Sequence, residues 1–403
     1  MPWEGVTVSE QRENLIRDYL LNYYSISELA ERYSVSRKTA HKWIGRFLSD
    51  GEKGLCELSR RPRNSPSKSS ERIMSELLSQ KGKHPSWGAR KLRKVVADAH
   101  PRWQMPAEIT INRLLERKGL VIKRRRHRRM HPGCPKSKAS EPNEIWGTDY
   151  KGQFRMGNRA YCFPQTVSDL DSRYLLGCQG HPEISLERTK EHFEGLFREY
   201  GLPQRIRSDN GAPFASNALA RLSRLSVWWI KLGIYPELIE PGQPQQNGIH
   251  ERMHRTLKAE ATIPPESSLK RQQARFDAFR VEFNTVRPHE AIGLQRPADL
   301  YHPSERRLPK CLEPYDYPGH YLVRRVSRAG TIRVAHNQIF VATPLMEDYV
   351  GLEETEEGIY DMYFCFYHIG RYHVRENKIE GVISKVSASR TLADAGWKSV
   401  TDV

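Results

Sequence analysis

Apolar positions near the start of the chain repeat with the period of an amphipathic helix. The spacing i, i+3, i+4, i+7 occurs twice, with a short interruption between the two runs. The first run comprises Ile26, Leu29, Ala30 and Tyr33, and the second comprises Ala40, Trp43, Ile44, Phe47 and Leu48. Ser36 is a suitable N-cap for the second run, although Ser34 stands in the turn where Gly is common. The pattern predicts a helix-turn-helix within a first domain at 1–58, and any small helical hairpin is the alternative.

A second helical pattern, weaker than the first, follows a polar spacer. Residues 59–70 have the sequence SRRPRNSPSKSS and predict an extended linker, because Pro, Ser and charge leave almost nothing to bury. The range 71–135 contains WGARKLRKVV and INRLLERKGL, with Gly119 as a C-cap, and then the basic run KRRRHRR. These residues predict a second helix-turn-helix-like domain that includes the basic run.

After Glu144 the residue pattern changes from helical spacing to strand-like runs. Segments such as EIWGTDYKGQF and RAYCFPQTVSDLDSRYLLGCQG favour strands, and an amphipathic helix and the short strand QRIRSD follow them. This order predicts an α/β core with a mixed sheet over 140–305. Alternating segments then predict a small β-barrel over 315–384, and 385–403 has the composition of a loose tail. The expected fold class is multidomain: N-terminal all-α helix-turn-helix modules, a central α/β core and a C-terminal small β-barrel.

The net charge is concentrated in the first third of the chain. The 403 residues include 65 Lys and Arg against 48 Asp and Glu, a net charge of +17. Residues 1–140 hold 31 of those bases and 14 of those acids, so they carry the entire excess and 141–403 is neutral. Segregated, Arg-rich charge favours a nucleic-acid-binding front end over a merely solvated surface.

Candidate DNA contacts follow from this distribution. Residues off the apolar face of the second helix suit phosphates and base edges in a major groove: Arg37, Lys38, Thr39, His41, Lys42 and Arg46. In the linker, Arg61 and Arg63 suit a minor groove, although an inert spacer fits equally well. The second module and its basic run add Arg113, Arg117, Lys123, Arg124, Arg125 and Arg126.

Several classes of protein are disfavoured by the same composition. Six cysteines without a CxxC or paired Cys/His spacing argue against a disulfide scaffold and against a structural zinc site. The chain lacks an apolar run of about 18 residues and a recognisable secretory leader. We therefore expect no membrane partner and a cytoplasmic location, associated with the nucleoid through DNA.

Three acidic residues stand where elements are predicted to begin or end. Asp149 lies in a predicted strand, Asp209 ends another strand, and Glu251 opens a helix. Converging carboxylates can hold Mg²⁺ or Mn²⁺, and two such ions about 3.5–4 Å apart can activate an attacking oxygen and stabilise a leaving one on a phosphodiester. By spacing alone this set is weakly specified, and Asp169 and Asp171 compete with Asp149 as the first ligand.

Five segments resemble, in order, the integrase-type catalytic core of retroviral integrases and many bacterial insertion-sequence transposases. They are WGTDYKG, VSDLDSRYLLG, RSDNGAPFAS, PGQPQQNGIHERMHRTLK and FNTVRPHEAIGLQRPADL. The resemblance implies an RNase H-like core and a catalytic, metal-binding D,D,E triad at Asp149, Asp209 and Glu251, with two Mg²⁺ or Mn²⁺ ions. The 41 residues between Asp209 and Glu251 are more than many relatives have. Because helix-turn-helix modules precede the core and a His/His/Cys/Cys zinc module is absent, the chain is more similar to the bacterial transposases than to the retroviral integrases.

The resemblance implies a DNA transposase, which is a D,D,E polynucleotidyl transferase. Such an enzyme binds the terminal inverted repeats of an insertion sequence and catalyses metal-dependent 3′-end cleavage and strand transfer. Its partners would be double-stranded DNA, as element ends and as target, and further copies of the chain in at least a dimer. Two alternatives remain: a transposase-derived regulator that binds DNA without cutting it, and an RNase H-type nuclease that only hydrolyses.

Residues next to Glu251 are further candidates for DNA contact. Asn247 lies in a loop expected to be mobile and to touch DNA ends. Arg255 and Lys258 fall four and seven residues after Glu251, on the same helix face, and would place cations beside the metal site.

Other polar residues of this region are expected to have structural roles. His250 and His254 are interpreted as surface or packing residues rather than metal ligands. The motif RPHE at 287–290 is also interpreted as structural, so Glu290 is not expected to be the third carboxylate. Glu260, on the same helix as Glu251, is expected to be dispensable for the chemistry.

Overall fold

The computed structural model describes residues 7–57, 59, 69–121 and 137–381. Two compact units are present, Met1–Ser69 and Ser70–Val403. Most of the predicted linker and the predicted tail lie outside the described residues. The same holds for six of the predicted DNA contacts, which are Arg61, Arg63, Lys123, Arg124, Arg125 and Arg126.

The first unit contains the predicted helix-turn-helix. Its helices are α1 (Val8–Leu20), α2 (Ile26–Arg32) and α3 (Arg37–Asp50), followed by a 3₁₀ turn at Gly51–Leu55. The Ser36 side chain accepts a hydrogen bond from the Thr39 backbone N–H, so the predicted N-cap is confirmed. Ser34 adopts a left-handed φ of 51°, which explains why glycine is common at this turn position. The helices enclose one apolar core that includes Leu15, Ile16, Ala40, Trp43 and Ile44.

The second unit begins with three helices that have a core of their own. They are α4 (Glu71–Lys83), α5 (Ala89–Ala99) and α6 (Glu108–Arg117). Trp87, Leu92, Val96 and Ile111 are almost fully buried between them. The weak helical pattern of this region therefore corresponds to a compact helical module.

A mixed sheet forms the centre of the second unit. Its strands are β1 (Ile145–Tyr150), β2 (Phe154–Arg155), β3 (Tyr161–Asp169), β4 (Leu175–His181), β5 (Arg205–Ser208) and β6 (Tyr235–Leu238). The sheet order is β2-β3-β1-β5-β6, with β4 also paired to β3. The β1–β3 and β3–β4 pairs are antiparallel, whereas the β1–β5 and β5–β6 pairs are parallel. The mixed α/β sheet predicted from the sequence is thus confirmed.

Helices cover both faces of this sheet. They are α7 (Leu186–Tyr200), α8 (Arg224–Lys231), α9 (Gly248–Ala261), α10 (Leu269–Thr285) and the short α11 (Pro297–Leu300). On one face, α7 and α8 bury Trp146 of the sheet with Phe193 and Trp229. On the other face, α9 and α10 bury Leu175 with Leu257 and Phe276. Because both faces are covered, the sheet is the middle layer of three.

The C-terminal strands form an open sheet and a separate hairpin. Their bounds are β7 (Leu322–Arg325), β8 (Thr331–Val334), β9 (Asn337–Phe340), β10 (Tyr349–Glu356), β11 (Ile359–Phe364), β12 (Tyr367–His373) and β13 (Lys378–Gly381). The antiparallel order is β13-β12-β11-β10-β7, and β8 pairs with β9. Closure into the predicted small β-barrel is not confirmed, because β7 and β13 are the edges of this sheet in the described residues.

The C-terminal sheet shares an apolar core with helix α8, which covers the mixed sheet. Val227 and Ile230 of α8 pack in the same cluster as Val350, Met362 and other residues of the C-terminal strands. No helix of the described ranges is long and apolar enough to cross a membrane.

Candidate active site

Parallel pairing of β1 and β5 brings two of the three predicted carboxylates to the same edge of the sheet. Ile145 pairs with Arg205 and Gly147 with Arg207, so the two strands run in step. Asp149 lies two residues beyond Gly147, and Asp209 lies two residues beyond Arg207 and just outside β5. Strand pairing therefore brings together two residues that are 60 positions apart in the sequence.

Helix α9 brings the third carboxylate to this edge. Glu251 is an exposed residue in its first turn, directly after a 3₁₀ turn at Pro244–Asn247. One turn further along α9, His254 Nδ1 lies 3.6 Å from Asp149 Oδ2. Glu251 also acts electrostatically on Asp149. Asp149 is therefore within electrostatic range of both Asp209 and Glu251, which come from two other elements of the fold.

The electrostatics of these carboxylates suit a bound cation. Burial, followed by repulsion from Asp209 and from Glu251, raises the pKa of Asp149 to about 7. Burial also raises the pKa of Asp209, against a hydrogen bond from the Gly211 backbone N–H. Among the described residues, the nearest basic partner within ion-pair distance of Asp149 is His254, and burial keeps that histidine neutral. A hard divalent cation would remove the repulsion and take these oxygens as ligands.

Two buried hydroxyl groups beside the predicted aspartate ligands in sequence, Thr148 Oγ1 and Ser208 Oγ, lack a hydrogen-bond partner. Because side chains alternate along a strand, Thr148 lies on the sheet face of Trp146, opposite to Asp149, so its hydroxyl does not line the carboxylate site. In the described ranges, no three Asp, Glu, His or Cys side chains already stand together as a metal-binding cluster.

The placement of Asn247 corrects one expectation. This residue is only 5% exposed, so its side chain does not face DNA as expected for a mobile loop. The preceding segment is closed by a hydrogen bond from the Glu240 backbone N–H to Gln246 Oε1 (2.9 Å), and it folds as a 3₁₀ turn. That local structure turns Asn247 inward.

His250 and His254 form a buried support behind the carboxylates. Their Nε2 atoms lie 2.6 and 2.7 Å from Thr166 Oγ1, and Thr166 is the β3 partner of Asp149. Burial lowers the pKa of His250 to about 3 and that of His254 to about 2, so both rings are neutral. A Cβ at Gly147 would lie 3.2 Å from His250 Nδ1 and 2.8 Å from a Leu170 methyl carbon, which explains the glycine. The packing role expected for the two histidines thus agrees with the structure.

Another aspartate, Asp169, stabilises the turn after β3. Asp169 is buried and accepts hydrogen bonds from the Asn143 N–H (2.8 Å), the Ser172 N–H (2.8 Å) and the Ser172 hydroxyl (2.6 Å). Both oxygens of the Asp169 carboxylate therefore accept hydrogen bonds that stabilise the turn. Asp149 is therefore better placed than Asp169 to serve as a ligand.

Most of the predicted contacts on α3 are accessible. Arg37, Lys38, His41 and Lys42 are exposed. Thr39 is half-buried and takes part in the N-cap, with its hydroxyl 2.9 Å from Ser36 Oγ. Arg46 is also half-buried, and its guanidinium lies over the Trp43 ring, 5.0 Å from the centroid. Four of the six predicted contacts are therefore exposed, and Lys42 among them has its Nζ 4.6 Å from the centroid of the Trp43 ring.

Predicted contacts in the second unit are exposed as well. Arg113 and Arg117 lie on the surface of α6, and Arg255 and Lys258 on the surface of α9. Lys258 interacts electrostatically with Lys151, whose pKa is lowered by burial and then by Lys258, against attraction to Asp149. The sequence analysis did not identify Lys151 as a cation close to Asp149, although its position two residues after Asp149 could have indicated this.

Comparisons with known proteins agree with this architecture. Residues 139–244 and 232–297 match two models of the integrase core domain. Residues 39–115 match a homeodomain-like domain, a range that begins in α3 and includes α4 and α5.

Two insertion-element proteins are similar to this chain. The uncharacterized 31.7 kDa protein of IS407 from Burkholderia multivorans is 27% identical over 47% of this chain and 67% of its own length. The uncharacterized 39.2 kDa protein of IS476 from Xanthomonas euvesicatoria is 24% identical over 69% of this chain and 85% of its own length. A solved structure, the HTLV-2 integrase catalytic core domain in complex with magnesium, is 15% identical and covers 41% of this chain and 100% of that chain, with a low TM-score of 0.33.

The matched models and the sheet order define a protein with an integrase-type core behind a homeodomain-like DNA-binding region. Together with the two insertion-element relatives, they place the chain among the insertion-sequence transposases that carry an integrase-type core.

The raised pKa of Asp149 predicts a pH-dependent gain in stability when its charge is removed. Its folded-state pKa of about 7 exceeds the ordinary 3.8, so the metal-free fold is destabilised as pH rises through this interval. Asp149→Asn should therefore raise the free energy of unfolding of the metal-free protein at about pH 8, by at most about 4 kcal/mol, and leave it nearly unchanged at about pH 4. Calorimetry at the two pH values measures this difference in stability. Asp277→Asn, at an exposed position of α10, is the control. An equal effect at both pH values would contradict the electrostatic origin.

Proposed function

We propose that the chain is a DNA transposase that binds the terminal inverted repeats of an insertion sequence and catalyses metal-dependent 3′-end cleavage and strand transfer. The observation that carries this proposal is the set of three carboxylates, from β1, the end of β5 and the start of α9, that interact electrostatically at one edge of the sheet. Such an arrangement costs folding free energy unless it binds cations, and functional sites are where such costs are found.

Asp149, Asp209 and Glu251 would hold Mg²⁺ or Mn²⁺, two ions being expected. When bound, such ions polarise a phosphodiester and favour the deprotonated form of an attacking oxygen. The neutral His250 and His254 hold α9 against β3, through Thr166, and so orient the strand that carries Asp149. Lys258 and Arg255 provide exposed positive charge along α9 for the DNA strand. The chain's own residues thus position the carboxylates and attract the phosphate backbone.

The first unit would recognise DNA through α3. The exposed Arg37, Lys38 and Lys42 suit an α-helix lying in a major groove. Because this unit has its own core, a fragment of residues 1–69 should bind duplex DNA, with affinity falling as salt rises. Lys42→Gln should reduce the slope of log affinity against log salt by about 1, whereas Lys53→Gln on the 3₁₀ turn should not. A fragment that shows no salt-sensitive binding in a gel-shift titration would contradict this assignment.

Strand transfer also requires two DNA ends to be held together. One chain offers one such set of carboxylates, so we expect the active complex to be a symmetric assembly of at least two copies. Light scattering of the protein with end DNA measures this directly. An active complex with the mass of a single chain on DNA would rule out the dimer.

A joining assay on labelled element ends tests the function as a whole. The transposase should produce both cleaved 3′ ends and strand-transfer products, and only when Mg²⁺ or Mn²⁺ is present. Binding without either product would support the regulator descended from a transposase. Cleavage without joining would support the hydrolytic nuclease.

A further inference from the structure

The helical module α4–α6 contacts the integrase-type core at the last turn of α9. Arg287 Nη1 donates to both carboxylate oxygens of Glu260, at 2.8 and 2.9 Å, and Ser86 Oγ donates to the same carboxylate. His84 Nδ1 lies 2.9 Å from Glu282 Oε1 of α10. Ser86 and His84 belong to the connection between α4 and α5, so this connection contacts two helices of the core. Glu260 is therefore a structural residue, which corrects its expected role as a neutral position on the Glu251 helix.

Contacts within the module stabilise the connection between α4 and α5. Lys81 is 8% exposed, and its Nζ donates to the carbonyl oxygens of Pro85 (2.7 Å) and Trp87 (2.8 Å). The rings of His84 and Trp87 are stacked with their centroids 3.8 Å apart, and Trp87 is 1% exposed within the apolar core of the module. These contacts fix the position of Ser86 and His84 relative to the three helices of the module.

The attachment of the module to the core is polar. In the described ranges, no apolar cluster contains side chains from both α4–α6 and the core. Arg287 is 7% exposed, and its guanidinium also lies 5.9 Å from the Trp87 ring centroid, within cation–π range. The pair of Arg90 and Glu290, at 3.9 Å, is more than half exposed and contributes little. Because charge-assisted hydrogen bonds are strong and depend steeply on angle, Glu260 and Arg287 define the geometry of the attachment.

Helix α9 links this attachment directly to the candidate metal site. Glu251 lies in its first turn and Glu260 in its last, nine residues later. That separation spans about 14 Å at a rise of 1.5 Å per residue, and the helix is continuous between the two residues. On the module, Arg113 and Arg117 of α6, which are predicted to contact DNA, are exposed. The distance from these predicted contacts to Glu251 therefore depends on Glu260.

We infer that Glu260 and Arg287 are positioning residues that determine where the enzyme cuts, because they hold the DNA-bound module at one distance from the carboxylates. The inference rests on the proposed function. A duplex rises about 3.4 Å per base pair, so a displacement of the module by that amount moves the phosphodiester at the carboxylates by one nucleotide. The cleavage position is thus set by this attachment as well as by the DNA sequence that the module binds.

The test maps the cleavage position of full-length variants on an end-labelled duplex that carries an element end. Glu260→Ala removes the acceptor that Arg287 and Ser86 share. The rate of cleavage at the wild-type phosphodiester should fall by about 10²-fold, which is the effect of a misplacement on the ångström scale. New cuts should appear at neighbouring phosphodiesters. Affinity for the duplex in a gel-shift titration should be unchanged, because no predicted DNA contact is altered.

Three further variants separate positioning from stability. Asp348→Ala removes a carboxylate of similar exposure, 24% against 22% for Glu260, but one that lies 2.6 Å from Lys231 of α8. It should leave the cleavage position unchanged. Ser86→Ala alters an exposed residue of the module, so the fold should be intact, yet it should produce the same neighbouring cuts in smaller amount. Glu260→Gln keeps an oxygen acceptor and should restore most cleavage to the wild-type phosphodiester.

Hydrogen exchange of the free full chain provides a measure that does not depend on cleavage. In Glu260→Ala, the backbone amides of 84–88 and 286–290 should exchange faster than in the wild type. The amides within α4, α5 and α6 should keep their protection, because the module has an apolar core of its own. Faster exchange throughout these three helices would show that the pair stabilises the fold of the module, and would overturn the inference.

The outcomes distinguish this inference from the proposed function. If the wild type and Glu260→Ala cut the same phosphodiester and differ only in yield, the positioning role is wrong and the transposase function stands. If the wild type makes no cut with Mg²⁺ or Mn²⁺, the proposed function is wrong and the inference fails with it.

Discussion

Glu251→Gln is expected to abolish both cleavage and joining of element ends while leaving DNA binding intact. The substitution keeps the size of the side chain but replaces an anionic oxygen ligand with a neutral amide, which a hard cation binds poorly. One set of carboxylates serves both steps, so both should fall together, by more than about 10²-fold. The exposed position of Glu251 in the first turn of α9 means that the fold itself should be unaffected. Gel-based quantification of both products, beside a gel-shift titration, measures the effect.

The control for this variant has to come from another helix. Glu260 shares α9 with Glu251, but its ion pair with Arg287 makes it unsuitable, since a loss of activity there would report a damaged fold. Glu191→Gln on the exposed face of α7 makes the same chemical change and should remain active. Robust joining by the Glu251 variant would remove this residue from the triad.

Arg207→Met is expected to lower the free energy of unfolding by roughly 3–5 kcal/mol. Arg207 and Glu237 are 2% and 3% exposed, and Arg207 Nε lies 2.7 Å from Glu237 Oε1 across the β5–β6 pair. Arg207 Nη2 also donates to the carbonyl oxygen of Ser137 at 2.7 Å. Removing the guanidinium leaves a buried carboxylate without its cation, which is the costly half of such a pair. Urea unfolding followed by tryptophan fluorescence measures the loss.

Two further variants define the origin of that loss. Arg207→Met/Glu237→Leu removes both charges and should recover most of the stability, because the buried carboxylate is then gone. Arg205→Met on the same strand removes a half-buried guanidinium over the Tyr235 ring and should cost about 0.5–1 kcal/mol. A double variant as unstable as Arg207→Met would show that packing, rather than charge, causes the effect.

Local patterns in the sequence were sufficient for the elements and for much of the chemistry. Helical spacing predicted α2 and α3, and the position of Ser36 predicted the cap that the structure contains. Strand-like runs predicted the mixed sheet, because side-chain periodicity depends only on neighbouring residues. The three carboxylates were chosen from their motifs, and strand pairing then explains how Asp149 and Asp209 reach one edge.

Contacts between distant segments could not be predicted from these local patterns. The interior position of Asn247, the union of the C-terminal sheet with α8 and the pairing of Glu260 with Arg287 each depend on where separate elements pack. The repulsion that Arg252 exerts on Lys91 and on Arg173 likewise arises only once α5, the β3–β4 turn and α9 are folded together.

The sequence by itself therefore determined which elements form and where the positive charge lies, and its motifs predicted which carboxylates bind metal. The tertiary structure decided which polar residues are buried, which charges are paired and which remain exposed. The physical reason is that periodicity and capping are properties of a few adjacent residues, whereas burial and Coulomb interactions depend on distances in space.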